Sequence, residues 1–307
     1  MIKPSEFIHP EDAAALRQLE SIPGFPALVK KIMELGVEQL FYGLNMANCI
    51  RLSPTQLPHL YRHLPPICAR LGIPEPEFYL EMNPQPNAYT FGDTKIYITI
   101  TSGLVDLLND DELDSVIAHE CGHIMCRHVL YHSIAEYIFD GADALGILGI
   151  LTDPIKYALY YWQRKSELSC DRCAAIVTSP QVVATTMARL AGGPKSITAN
   201  LNLKEWAHQA DLYDQIRNKN LWNKSLQIAC VLKMSHPFSA VRVREILKWG
   251  QSSQYQNIVR DTPRIGGGTP RIDRETPRIE SGKKCPRCGK PILNEWRYCR
   301  NCGAILK

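Results

Sequence analysis

Two groups of residues in this chain have the types and spacing that metal chemistry needs. The first is His119-Glu120-Cys121-Gly122-His123. At 3.6 residues per helical turn, His119 and His123 lie on one helix face a turn apart, so two imidazole nitrogens can reach one tetrahedral zinc ion. Glu120 projects beside them. Its carboxylate can hold and deprotonate a water that the metal has already acidified. Gly122 removes a side chain inside the motif, which eases close packing beneath it. A catalytic zinc takes a third protein ligand and keeps its fourth position for water. A later histidine in an H-E-x-x-H-x-x-G-x-x-H pattern is not available, because position 126 is Cys and position 129 is Val. A glutamate from a downstream helix is the other solution, and Glu167 stands 48 residues after His119. Its spacing to Asp171 puts both carboxylates on one helix face. Glu167 can then ligate while Asp171 accepts from the second nitrogen of a ligating histidine, fixing its tautomer.

The second group is Cys285-Pro-Arg-Cys288-Gly with Cys299-Arg-Asn-Cys302-Gly. Two C-x2-C knuckles ten residues apart can close four thiolates around a structural zinc, each glycine permitting the tight backbone turn. A unit of about 25 residues has too little core to fold alone, so metal binding supplies its folding free energy. Around these knuckles, Arg287, Lys290, Arg297 and Arg300 with Trp296 and Tyr298 suit either phosphates and stacked bases or a protein docking surface. Docking is the preferred reading, with nucleic acid as the alternative. Cys121, Cys126, Cys170 and Cys173 lie near the first group. They can compete for metal or respond to oxidation, and the preferred reading is small buried residues that pack helices together. His128 and His132 extend the histidine run and read as solvent-side or packing residues.

These groups need elements to hold them. With 307 residues, 45% hydrophobic and 21% charged, the chain excludes wholesale disorder, collagen and coiled-coil rods, and predicts one substantial domain plus a small appendage. Residues 11–72 read mostly helical, with residues 1–60 forming an N-terminal helical segment ahead of a catalytic domain at 61–260. Residues 78–80 and 95–101 are β-branched and aromatic and predict a short antiparallel β-ribbon. Asn109-Asp110-Asp111 then supplies a cap for the helix that carries His119. Helical patterns follow to about residue 189, at 201–234 and at 240–249. The fold class is therefore α+β, predominantly α. Residues 261–282 repeat Thr-Pro-Arg-Ile three times and read as an extended linker, leaving residues 283–307 as the zinc ribbon. Residues 262–307 carry 11 Lys/Arg against 4 Asp/Glu, so a basic tail follows a mildly acidic body. That tail is a solubilising segment in the simplest reading. No apolar leader follows Met1, which makes the cytoplasm the expected compartment, and the apolar run at 144–152 is too short to span a bilayer. Peripheral membrane contact through residues 144–161 or the tail is a further reading.

Taken together, four phrases resemble the gluzincin metallopeptidases of the HtpX and CAAX prenyl protease (Ste) type. They are Asn87-Ala88-Tyr89 with Gly92, His119 to His123, Glu167-x-x-x-Asp171, and His236-Pro237 followed by Arg242, in the family's order. The resemblance covers roughly residues 60–249. It implies a zinc metalloendopeptidase acting on protein or peptide substrates, with zinc on His119, His123 and Glu167 and Glu120 as general base. It further implies that His236 stabilises the oxyanion, that Arg242 organises the third-ligand region beside Asp171, and that Asn87, Ala88 and Tyr89 border the substrate cleft. The expected cofactors are two Zn2+ ions, one catalytic and one structural. Membrane-embedded members carry hydrophobic spans that this sequence lacks, so lipid-modified substrates do not carry over. The rival reading is a silent peptidase-like scaffold that uses the ribbon as an adaptor.

Overall fold

The computed structural model describes residues 2–34, 36–140, 153–219, 238–261 and Pro286. The chain divides into two compact units, Met1–Ile265 and Gly266–Lys307. In the first unit, helices α1 (Pro10–Glu20), α2 (Phe25–Glu34) and α3 (Val37–Asn48) precede a short strand β1 (Ile50–Arg51) and helices α4 (Pro58–Tyr61) and α5 (Leu64–Leu71). Strands β2 (Glu77–Glu81), β3 (Ala88–Phe91) and β4 (Tyr97–Thr101) come next. Helices α6 (Ser102–Leu107), α7 (Asp110–Met125), α8 (Val129–Asp140), α9 (Asp153–Val177), α10 (Pro180–Gly192), α11 (Lys195–Thr198) and α12 (Leu203–Asn218) follow. The described part of this unit ends with α13 (Ser239–Trp249) and α14 (Ser253–Asp261). The architecture is α+β with helix predominant, as the sequence predicts. Among the described residues, no helix is long and apolar enough to cross a membrane. The apolar run at 144–152, the linker, His236 and the ribbon cysteines lie outside the described residues.

The sheet is mixed and ordered β1-β2-β4-β3. All five residues of β4 are buried, which suits its β-branched sequence and its central place between β2 and β3. The sequence predicts residues 78–80 and 95–101 as a short antiparallel ribbon. The structure instead pairs β2 with β4 in parallel, Phe78 opposite Ile98, and gives β4 an antiparallel partner in β3, with Ala88 opposite Ile100. Two chain reversals between β2 and β4 explain the difference. Residues 82–87, which include Pro84 and Pro86, make the first; the hairpin at Gly92 makes the second. Gly92 has φ +115°, and a Cβ there would sit 2.3 Å from the Lys95 carbonyl oxygen, so glycine is required. Glu38 of α3 ties down the hairpin by accepting the Asp93, Thr94 and Lys95 amides at 2.7, 2.7 and 2.8 Å.

Helices α7 and α9 make the most intimate helix pair of the core. The predicted cap at the start of α7 is present as a reciprocal box: Asn109 Oδ1 accepts the Glu112 amide at 2.9 Å, and Glu112 Oε2 accepts the Asn109 amide at 3.1 Å. In the last turn of α7, Gly122 meets α9 at backbone range. A Cβ on Gly122 would lie 3.0 Å from both Cys170 Cα and Cys173 Cβ. The glycine therefore sets how closely the two helices approach. Helix α1 packs on the same α9, and its Asp12 is fully buried.

Two outcomes follow for stability. Gly122→Val forces α7 and α9 apart, and overpacking of this kind costs about 1–3 kcal/mol, read as a lower urea midpoint. His9 caps α1 by accepting the Glu11 amide at Nδ1 (3.2 Å), which needs an unprotonated nitrogen. Burial, with the charge of Arg172 adding to it, lowers the His9 pKa from 6.5 to about 4. Between those values the unfolded chain takes up a proton that the folded chain refuses, so stability falls as pH drops through that window. His9→Asn keeps a capping acceptor without the titration, and its melting temperature falls less steeply between pH 6.5 and 4.5 than that of the wild type.

Candidate active site

Helix α7 presents His119, Glu120 and His123, all buried, toward α9. The Glu167 carboxylate of α9 lies between the two imidazoles, Oε2 3.3 Å from His119 Nε2 and Oε1 3.4 Å from His123 Nε2. One turn on, Asp171 Oδ1 sits 3.1 Å from His119 Nδ1. Arg242, from the first turn of α13, clamps both acids. Its Nη1 is 3.0 Å from Glu167 Oε2, while Nε and Nη2 donate to the two Asp171 oxygens at 2.8 and 2.6 Å. Burial alone would raise the Asp171 carboxyl; the charge and hydrogen bonds of Arg242 outweigh it and hold the group below the usual carboxylate value. His119 shows the same balance in reverse. Burial would lower it, yet Glu167 and Asp171 together raise it to about 10. Two buried acids with one guanidinium thus draw a further positive charge to the imidazole side of the cluster.

That donor set fits zinc. Both Nε2 atoms lie within 3.4 Å of the Glu167 carboxylate, and two acids against one guanidinium leave net negative charge there. The Cys170 thiol also falls within ligand range of His119 and His123, but Glu167 touches both Nε2 atoms directly. Burial pushes the thiols of Cys126, Cys170 and Cys173 well up, and a hydrogen bond with Cys68 and burial do so for Cys121. These cysteines are buried thiols in the core, in line with the packing reading. Glu120 opens onto a cleft of about 620 Å³ that Asn87, Ala88, His119, Asp171 and Arg242 also line.

The structure sorts the predicted cleft residues by strand alternation. Ala88 faces the cleft and Asn87 borders it, but Tyr89 points through the other face of the sheet, its hydroxyl 3.2 Å from Glu81 Oε2. The strand residue that reaches the centre is Thr90, whose hydroxyl donates to Glu120 Oε2 at 2.6 Å. Thr90 was not singled out in the sequence, although a period of two from Ala88 points to it. Of the two readings of His128, solvent-side or packing, the second holds: it is fully buried, its Nδ1 3.3 Å from His123 Nδ1. His132 donates to or accepts from Ser166 at 2.8 Å.

Removing the shared guanidinium tests this cluster. Arg242→Leu leaves Asp171 and Glu167 buried without their cation and costs about 3–5 kcal/mol in a urea unfolding series, whereas Arg242→Lys restores a charge without the fork and recovers only part.

Residues 54–250 match peptidase family M48, and residues 284–306 match a zinc-ribbon domain. A plastoglobule-localized metallopeptidase 48 of Arabidopsis thaliana chloroplasts is 32% identical over 264 residues, covering 84% of this chain and 76% of that protein. A protease HtpX homolog of Ralstonia pickettii is 27% identical over 241 residues, 69% of this chain and 81% of its own. The match to the HtpX homolog of Dictyoglomus turgidum, 32% identical, spans only 40% of each chain. No solved structure matches. With more than half its length inside the family and its acids, imidazoles and cleft arranged as above, the chain belongs to peptidase family M48 and is a metalloprotease hydrolase.

Proposed function

We propose that the chain is a zinc-dependent endopeptidase whose catalytic zinc is held by His119, His123 and Glu167. The observation that carries this is the Glu167 carboxylate lodged between the two imidazoles, 3.3 and 3.4 Å from their Nε2 atoms. Zinc, when bound there, supplies Lewis acidity that acidifies water and polarises a peptide carbonyl. The rest is done by side chains. Glu120, next to His119 and facing the cleft, takes the proton of the attacking water and returns it to the leaving amine. Thr90 holds Glu120 by one oxygen, leaving the other to face the substrate. Asp171 accepts from His119 Nδ1, which keeps the Nε2 lone pair toward the metal side. Strand β3 is an edge of the sheet, and an extended peptide laid beside Asn87 and Ala88 gains backbone hydrogen bonds there. Opposite it, Leu104, Val116, Val183 and Met187 give the cleft an apolar wall suited to a hydrophobic side chain. The oxyanion role of His236 and the structural zinc on Cys285, Cys288, Cys299 and Cys302 belong to the same proposal. A silent scaffold is the weaker reading, and the approach of Glu167 to His119 and His123 speaks for the enzyme.

Metal analysis paired with casein cleavage checks it. The full chain is expected to carry two zinc ions, and Cys285→Ser with Cys288→Ser to carry one while still cleaving. Glu120→Gln retains zinc but loses about 10²–10⁴-fold in turnover. Cleavage unchanged in Glu120→Gln, or loss of all zinc with the two cysteines, would sink the assignment.

A further inference from the structure

We infer that Asp12, on the N-terminal helix α1, acts through His128 to fix the tautomer and orientation of His123, making α1 a positioning element of the metal centre. The inference rests on the proposed reading of His123 as a zinc ligand. It begins with the end of α7. Arg127 adopts a left-handed conformation, φ +59°, rare for a residue with a Cβ. The Arg127 amide then donates to the Ile124 carbonyl at 3.2 Å and the His128 amide to the His123 carbonyl at 2.9 Å. This paired closure of a helix end folds the chain back, so His128 lands behind His123 instead of continuing away from it. The two Nδ1 atoms meet at 3.3 Å.

One of those nitrogens has to donate and the other accept, and Asp12 decides which. Its Oδ1 accepts from Trp162 Nε1 at 3.1 Å, and its Oδ2 accepts from the Ser169 hydroxyl at 2.5 Å. Ser169 in turn accepts the His9 amide at 2.9 Å, so its own hydrogen is directed to Asp12. Both carboxylate oxygens are therefore acceptors. His128 Nε2 lies 3.1 Å from Oδ2, which can only accept, so Nε2 is the nitrogen that carries hydrogen. In a neutral imidazole this leaves a lone pair at His128 Nδ1. The Cys170 thiol, a weak donor 3.7 Å from that atom, agrees with this. His123 must offer hydrogen at Nδ1, and its Nε2 keeps a lone pair for a cation in front of Glu167. His119 gets the same service from Asp171 directly. A packing role alone, His128 standing edge-on to Trp162 at 5.4 Å between centroids, predicts that an apolar residue of similar size would serve as well.

Cobalt(II) titration of the full chain against a competing chelator separates these. The d–d bands of a site with two imidazoles and a carboxylate differ from the thiolate charge-transfer bands of the ribbon. His128→Leu and Asp12→Asn are expected to weaken cobalt about 10–100-fold at the former while leaving the ribbon bands unchanged, and His128→Gln, which restores an acceptor, to recover most of the loss. His119→Ala serves as the reference. If it leaves the d–d bands untouched, the zinc reading itself fails; if it abolishes them while His128→Leu binds as the wild type does, only the relay fails. Histidine ¹⁵N spectra of the zinc-loaded wild type decide the matter without any variant. Hydrogen on His128 Nε2, with a scalar coupling across the His123 to His128 hydrogen bond, is expected; hydrogen on His128 Nδ1 overturns the relay.

Discussion

The centre of this molecule depends on two carboxylates buried a helical turn apart on α9. Glu167 and Asp171 are 0% and 2% exposed, and an ionised acid in such a place costs several kcal/mol unless cations and donors surround it. One guanidinium serves both. Much of the surrounding architecture follows from bringing that guanidinium and two imidazoles to the same point. Gly122 lets α7 approach α9, the Asn109 cap holds the start of α7, and Phe238, left-handed at φ +67°, turns the chain into α13 so that Arg242 enters in its first turn. A single positive charge between two negative ones leaves room for a second cation. The charges of Glu167 and Asp171 that raise the His119 pKa reflect that same imbalance.

The sheet contributes by having two unlike faces. Tyr79, Phe91 and Tyr97 pack together on one side with Phe41 and Tyr42 against them. Ala88 and Thr90 face α7 and the cleft on the other, small enough to admit a substrate backbone. An edge strand usually invites aggregation. Here α7 and α8 lie against β3.

How far the sequence could be read follows from the range of each interaction. His119, Glu120 and His123 are legible because they share one helix, and Glu167 and Asp171 because their spacing does the same on another. The cap at Asn109 is equally local. What depended on pairing between distant segments was not legible. Parallel pairing of β2 with β4 needs the reversal at residues 82–87 to be known, and the facing of Tyr89 needs the strand's phase. The sequence does not choose between the solvent-side and packing readings of His128, because helix α7 stops at an arginine in a glycine conformation, which leaves no mark in the sequence. Asp12 lies 157 residues from Ser169, and nothing in the local pattern of α1 marks it out from Glu11 beside it.

The two candidate zinc histidines are supported at unequal distance, and the inequality has an electrostatic consequence. Asp171 touches His119 and shares its charge with Arg242. A third acid placed equally close to His123 would give the cluster three negative charges against one guanidinium, beside a Glu120 that must itself be ionised to act as base. Interposing the ring of His128 moves the Asp12 charge one residue farther back, into a pocket where Trp162 and Ser169 supply its hydrogen bonds. Orientation is transmitted through the ring while most of the charge stays behind it. The N-terminal helix, separate from the active-site helices in sequence, is in this way tied to them by the same polar network that packs it on α9.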